Sequence, residues 1–255
     1  MTVAVEIAVQ DVKGLEVAAR HGASRVELCV DLDCGGLTPS ADLTRQCVAR
    51  ARELVEAREA RDTFDVHVLI RSRPGDFFFH QDEVELMAKQ AADAVHAGAA
   101  GVVIGALQHG SSASQIGVDL KAIEHIRDAA LAAATEDVRG LVLTFHRALD
   151  ELNGTEQRVD AIHRLVSMGF HRALSSGGAP RVIDGLTDLA RMQDAGDGLL
   201  DVMAGGGLRP ADIRQVLAQT GVRDVHLSAR GKTMCDGTLT DPAIVTAAVD
   251  AVEGQ

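Results

Sequence analysis

Two carboxylates occupy runs that otherwise read as strands built for burial: Glu6 in "VAVEIAV" (residues 3–9) and Glu27 in "RVELCVDL" (25–32). Successive side chains of a strand point to opposite faces. One parity of the strand-like segments is uniformly apolar, with Val3, Val5 and Ile7, then Val26 and Leu28, Val66, Val68 and Ile70, Leu141, Leu143 and Phe145, and Val225 and Leu227. The opposite parity carries Ala4, Glu6 and Ala8, Glu27 and Cys29, His67, Leu69, Arg71 and Arg73, Val142, Thr144 and His146, and His226 and Ser228. Carboxylates, guanidinium groups and imidazoles drawn from separate strands are the equipment of acid–base chemistry on an anion. Glu6 or Glu27 would serve as base, His146 or His226 would exchange protons, and Arg71 and Arg73 would hold the negative group.

The periodicity of the chain says what must position these residues. Strand candidates lie at 3–9, 25–30, 64–71, 101–106, 140–146, 171–175, 199–204 and 223–228. Amphipathic helical stretches alternate with them, among them "DVKGLEVAARHG", "EVELMAKQAADAVHAG", "DLKAIEHIRDAALAAA", "TEQRVDAIHRLVSMG" and "RPADIRQVLAQTG", several ending at the Gly expected just past a helix. Eight even βα units with no interrupting antiparallel pair predict an α/β fold, a single-domain (β/α)8 TIM barrel over residues 1–255, rather than a doubly wound open sheet. The polar parity then faces the lumen. Arg71, His146 and His226 fall in the C-terminal halves of their strands and Glu6 at the middle of its own, toward the end where TIM-barrel active sites are built.

Composition narrows the partners. A chain of 255 residues, 46% hydrophobic and 24% charged, can bury a sizeable core. No apolar run approaches the roughly 20 residues that cross a bilayer, and "MTVAVEIAV" lacks a basic start and a cleavage site, so the expectation is a cytoplasmic protein with no membrane partner. A net charge of −12 with neither Trp nor Tyr argues against a nucleic-acid surface and leaves a small-molecule or anion ligand. Cys29, Cys34, Cys47 and Cys235 form no Cys-x-x-Cys pair, and reduced thiols are expected.

The loops after the strands add candidates. In "DCGGLTPS" (33–40), Gly35 and Gly36 permit a tight path and Thr38-Pro39-Ser40 reads as a helix start with Pro at an early position. "SSGG" (175–178) and "AGGG" (204–207) follow strands six and seven, and the backbone N–H groups around Ser176, Gly177 and Gly206 are candidates for holding an anion. Glycines at strand ends are equally explained by chain reversal. Arg147 and Asp150 follow His146 at the mouth and are candidates to orient it, Asp150 also to contact a substrate, while loop charges there are as often simply solvated. Arg230, two residues past the last strand, is a candidate anion contact or a cap near the helix "DPAIVTAAVDAV". His80, His96, His109, His125 and His163 have no ligand spacing and receive no role.

The ordered series "VELC" (26–29), "GGLTPS" (35–40), "IRSRPGDF" (70–77), "GVVIGAL" (101–107), "TFHRALD" (144–150), "RALSSGG" (172–178), "AGGG" (204–207) and "VHLSAR" (225–230) closely resembles the CutC family of copper homeostasis proteins. The resemblance implies a TIM barrel, a cytoplasmic location, homo-oligomeric assembly and a link to copper, and it implies no established reaction. Two departures stand out. Where the family often has Glu-Val-Cys in the first strand, this chain has Glu6-Ile7-Ala8, so a two-thiolate copper site shared with Cys29 cannot form. Where the family commonly has Arg-Pro-Arg-Gly-Gly-Asp-Phe, this chain has Arg71-Ser72-Arg73-Pro74-Gly75-Asp76-Phe77, keeping both arginines.

Three readings therefore stay open. The first is an enzyme acting on a small polar or anionic substrate. The second is a copper-binding or copper-buffering protein without catalysis, for which the sequence leaves Cys29 as the soft ligand, joined by Cys34 if its loop folds back; taken alone, Cys29 reads more simply as a small packed hydrophobe than as a ligand. The third is a non-catalytic scaffold whose lumen is plugged by acids paired with Arg71 and Arg73. A divalent cation on Glu6, Glu27, His146 and His226 would join the first two, against the repulsion of the nearby arginines. No cofactor is fixed by the sequence; copper follows from the resemblance alone.

Overall fold

The computed structural model describes residues 3–110, 115–134, 140–235 and 237–253, without the side chains of Thr233 and Cys235. Eight parallel strands close into a barrel in the order β1 (Ala4–Val9), β10 (Asp224–Leu227), β9 (Asp201–Ala204), β8 (Arg172–Ser175), β7 (Val142–Phe145), β4 (Gly101–Ile104), β3 (Asp65–Leu69) and β2 (Arg25–Leu28). Each sits inside or within a residue of the segment its β-branched composition predicts. Eight helices pack around them, α1 (Val12–Arg20), α2 (Ala41–Glu56), α3 (Gln81–His96), α4 (Leu120–Ala133), α5 (Thr155–Ser167), α6 (Leu186–Ala195), α7 (Pro210–Thr220) and α8 (Pro242–Glu253).

Short polar side chains start these helices by filling orphan backbone donors. Asp11 accepts from Gly14 N at 2.6 Å, Ser40 from Leu43 N at 3.2 Å and Asp119 from Ala122 N at 3.0 Å. Because Ser40 is the cap, α2 begins at Ala41 and Pro39 stands before the helix, not within its first turn as the sequence suggested. At the other end of α7, Gly221 takes φ +69°, which a side chain would resist.

The parity expectation holds at the level of packing. Val5, Ile7, Val26, Leu28, Val66, Val68, Ile70, Leu143, Phe145, Val225 and Leu227 all join the core between sheet and helices. Inside the barrel a second, small apolar group of Cys29, Leu69 and Val103 fills the space beside the polar residues.

One expectation fails. The βα units are interrupted by two antiparallel pairs, β5 (Leu107–His109) with β6 (Ile116–Val118) and β11 (Arg230–Cys235) with β12 (Thr238–Thr240). Both lie outside the barrel sheet, as elaborations of the loops after β4 and β10, so closure is undisturbed.

Candidate functional site

Above the C-terminal ends of the strands lies a cavity of about 410 Å³, with Glu27, Arg71, Phe77, His146, Arg147 and His226 in its wall. The structure thus gathers four of the five predicted lumen residues around one space. The fifth, Glu6, lies a layer deeper, fully buried, and reaches the cavity through His226. Parallel register explains the layering: Glu6 aligns with His226 on β10 and with Arg25 on β2, whereas Glu27 aligns with Ala8, two residues further along β1.

Glu6 is the centre of the polar lumen. Arg25 donates to it through Nε at 2.6 Å and also pairs with Asp224, while His226 Nδ1 lies 2.8 Å from the other carboxylate oxygen. His67 Nδ1 stands 3.8 Å away. Burial by itself would raise the Glu6 pKa, yet Arg25, His226 and His67 together hold it well below the usual carboxylate range. The plug anticipated from the sequence therefore exists, with different partners. Arg25, and not Arg71 or Arg73, pairs with Glu6 and Asp224 beneath the cavity, and Glu27 takes no part in it.

Glu27 is in the opposite situation. It is 5% exposed and its nearest cationic group is His226 Nε2, 3.8 Å from its carboxylate, too far for a hydrogen bond. Burial, opposed by His226 and reinforced by the charge of Glu6, pushes its pKa up to about 7. His226 moves upward as well, because its bond to Glu6 and the charges of Glu27 and Glu6 outweigh the effect of burial. Glu6, His226 and Glu27 form a line along which one carboxylate stays ionised and the other gains or loses a proton near neutrality.

His146 plays a different part. Its Nδ1 accepts the Ala148 backbone N–H at 3.1 Å, which assigns the ring proton to Nε2, and Nε2 is buried with no partner. Burial and the neighbouring Arg71 drive its pKa down to about 3, so it stays neutral. The ring has room only because residue 105 is glycine: a Cβ there would stand 2.5 Å from His146 Cε1. Phe77 packs 4.9 Å from the imidazole, with the Arg71 guanidinium 5.0 Å from its ring centre.

Arg71 is 5% exposed, and its partners are backbone carbonyls: Cys34 at 3.0 Å, Gly36 at 3.2 Å and Gly75 at 2.6 Å. Its Nε has no partner. Neutral carbonyls orient a guanidinium without cancelling its charge. Arg73 departs from expectation. The strand ends at Leu69, alternation stops there, and the chain turns so that Arg73 donates to Glu83 at 2.6 Å and Asp76 at 3.0 Å, away from the cavity.

The loop candidates divide. Gly206 is in the cavity wall, but Ser176 and Gly177 are not. Asp150 explains why. Its carboxylate accepts from Ser175 Oγ at 2.5 Å, Ser176 Oγ at 3.0 Å, Ser176 N at 3.0 Å, Gly178 N at 3.1 Å and Arg147 Nε at 2.8 Å. The "SSGG" turn does hold an anion, and that anion is the chain's own side chain. Asp150 consequently orients Arg147 and the turn, and His146 is held by the Ala148 N–H instead. Arg230 starts β11 and pairs with Asp33 at 2.7 Å, outside the cavity, in neither of the roles the sequence offered.

Sequence reasoning overlooked Arg25 and Asp224, and it gave Arg147 only the task of orienting His146. The first two share the parity of Glu27 and His226, and that signal was sufficient to find them. Arg147 lies in a loop, where no periodicity shows which way a side chain turns.

Among the described residues the soft donors are not gathered for a copper ion. Cys29 is fully buried, its thiol is raised well above the usual range by burial and then by Glu27, and Sγ is directed at the Val9 carbonyl at 3.7 Å. Cys34 lies in the cavity wall, and the Cys235 side chain lies outside the described residues. Among the described residues no group of three or more His, Cys, Asp or Glu side chains is placed to hold a metal ion. The described donors do not fit copper.

A model of the CutC family matches residues 3–231. A CutC family protein of Agrobacterium fabrum is 35% identical over 232 residues, 91% of this chain and 81% of its own length. Another, from Photobacterium profundum, is 33% identical over 230 residues, covering 90% and 83%. The solved structure of CutC from Streptococcus agalactiae superposes with a TM-score of 0.76 at 26% identity, covering 89% of this chain and 98% of that one. Thiamine phosphate pyrophosphorylase from Pyrococcus furiosus, 14% identical with a TM-score of 0.60 over 99% of this chain and 96% of that one, shares the fold alone.

Proposed function

The chain belongs to the CutC family, and on that premise we propose that its lumen is the active site of an enzyme moving a proton on a small anionic substrate. The observation that carries this reading is the pairing, across one cavity, of a carboxyl group poised near neutrality with a guanidinium that has no carboxylate of its own. A buried acid at about 7 is matched to proton transfer at physiological pH.

The residues divide the work by environment. Arg71 binds the anionic group, since its charge is offset only by carbonyl dipoles. His146 donates Nε2–H to an oxygen on which charge develops, and being neutral it does so without surrendering its proton. Glu27 takes a proton from the substrate or returns one. His226, backed by Glu6 through Nδ1, re-sets the protonation of Glu27 after each transfer, and a bound ligand has only to close the 3.8 Å gap between them.

The copper reading rests on the name carried by a solved relative, the Streptococcus agalactiae copper homeostasis protein. Of the soft Cys and Met donors that Cu(I) prefers, the cavity wall holds Cys34 alone among the described residues, and the Arg71 guanidinium beside the imidazoles repels a cation, so no step is assigned to copper.

Incubation in D2O with small carboxylates bearing a neighbouring carbonyl or hydroxyl group, with proton NMR as the readout, tests the proposal. Wild-type protein is expected to wash deuterium into the C–H beside the carbonyl of at least one of them, and Glu27→Gln to abolish the exchange. Exchange at the same rate in Glu27→Gln, or none with any compound, overturns it.

A further inference from the structure

From the disposition of its cations we infer that the cavity takes a ligand with two anionic groups, bound between Arg71 on one side of the mouth and Arg147 on the other. The inference rests on the anion-binding part of the proposed function and names the substrate class.

The barrel order places the two groups. The Arg71 guanidinium is held by carbonyls of Cys34 and Gly36, in the loop after β2, and of Gly75, in the loop after its own strand β3. Arg147 leaves β7 but leans across β8: its Nη2 donates to Ser176 Oγ at 3.2 Å, and its Cζ lies where a Cβ on Gly206, after β9, would be only 2.8 Å away. Around the closed ring the β2–β3 edge and the β8–β9 edge are four strands apart, so the loops that hold the two guanidinium groups stand on opposite sides of an eight-stranded mouth. Both are in the wall of the same cavity, together with Glu27, His146 and His226.

Arg147 is built to stay there. Asp150 fixes its Nε at 2.8 Å, and four neutral donors share the Asp150 carboxylate, spreading the charge that would otherwise satisfy the arginine. With one edge of the guanidinium so engaged, 42% of the side chain remains exposed for a ligand. Gly206, at φ +97°, provides the space. Glu151 is also in the wall, and with Glu27 it is a carboxylate that a bound anion must avoid. On a chain of net charge −12, two opposed arginines over one cavity are selective for a ligand charged at both ends.

Isothermal titration calorimetry on the full chain tests this with 3-phosphoglycerate, pyrophosphate and glutarate as bis-anions and with inorganic phosphate and butyrate as single anions. At least one bis-anion is expected to bind about tenfold or more tightly than either single anion, and Arg147→Gln and Arg71→Gln are each expected to remove that advantage. Should Arg71→Gln lose its cooperative unfolding transition, Arg147→Gln decides alone, because its side chain is partly solvated and lies outside the core. Equal affinity for single and double anions, no binding by any bis-anion, or an advantage that survives Arg147→Gln overturns the inference. Glu27→Gln separates this from the catalytic reading: it should leave bis-anion binding intact while removing deuterium exchange. Arginine-dependent binding without exchange in wild type would sink the proton-transfer reading alone.

Discussion

Glu6 and Glu27 are the same residue type in neighbouring strands of one lumen, and their environments drive them apart. Glu6 has a guanidinium at 2.6 Å and stays ionised; Glu27 has none and is pushed up to about 7 from 4.5. A carboxyl whose folded pKa is raised favours the protonated native state. Its contribution is complete below its unfolded pKa and is lost as pH rises through about 7, a difference of about 3 kcal/mol when fully developed. Glu27→Gln should therefore match wild type in urea denaturation at pH 4 and exceed it at pH 8. A loss of stability at pH 8 would mean that Glu27 is paired after all. For Arg25 the sign reverses. Arg25→Met strands Glu6 and Asp224 in the interior and should cost roughly 3–5 kcal/mol, partly recovered when Glu6→Gln is added in a double-mutant cycle.

At the scale of the element, the site depends on the loop that leaves each strand. The turn after β8 is folded around Asp150, whose carboxylate gathers hydroxyl and backbone donors from residues 175–178. Asp150→Ala leaves those donors without an acceptor, and a loss of roughly 2–4 kcal/mol is expected from buried hydrogen bonds to a charged group. Faster amide exchange at Ser176 and Gly178, with the barrel strands still protected, would show that the damage is local. The strand–loop junction at Gly105 offers a complementary test. A methyl group there meets the His146 ring, so Gly105→Ala should displace His146, change its NMR resonances and reduce proton transfer, while the fold persists.

For the whole molecule, closure of the barrel decides which chemistry is available. It brings guanidinium, carboxyl and imidazole groups to one mouth and leaves Cys29 packed against Leu69 and Val103. Cu(I) titration of the reduced protein against a competing chelator should show weak, substoichiometric binding that Cys29→Ala does not change. Tight one-to-one binding abolished by that substitution would restore the copper reading. No helix among the described residues is long and apolar enough to cross a membrane.

The sequence by itself determined the eight βα units, the faces of the strands and hence the lumen positions of Glu6, Glu27, His146 and His226, because strand alternation is a local property written residue by residue. It carried the CutC resemblance as well, through motifs at strand ends. Only the tertiary structure decided which charges meet. Arg25 and not Arg71 neutralises Glu6, since register between β1 and β2 sets that pairing. Arg73 turns away because alternation ends with the strand at Leu69. Asp150 fills the "SSGG" turn, and Arg147 spans from β7 toward the loop after β9. These are contacts between residues distant in the chain, in loops where no period operates, and their partners are fixed by where closure of the barrel puts the strand ends.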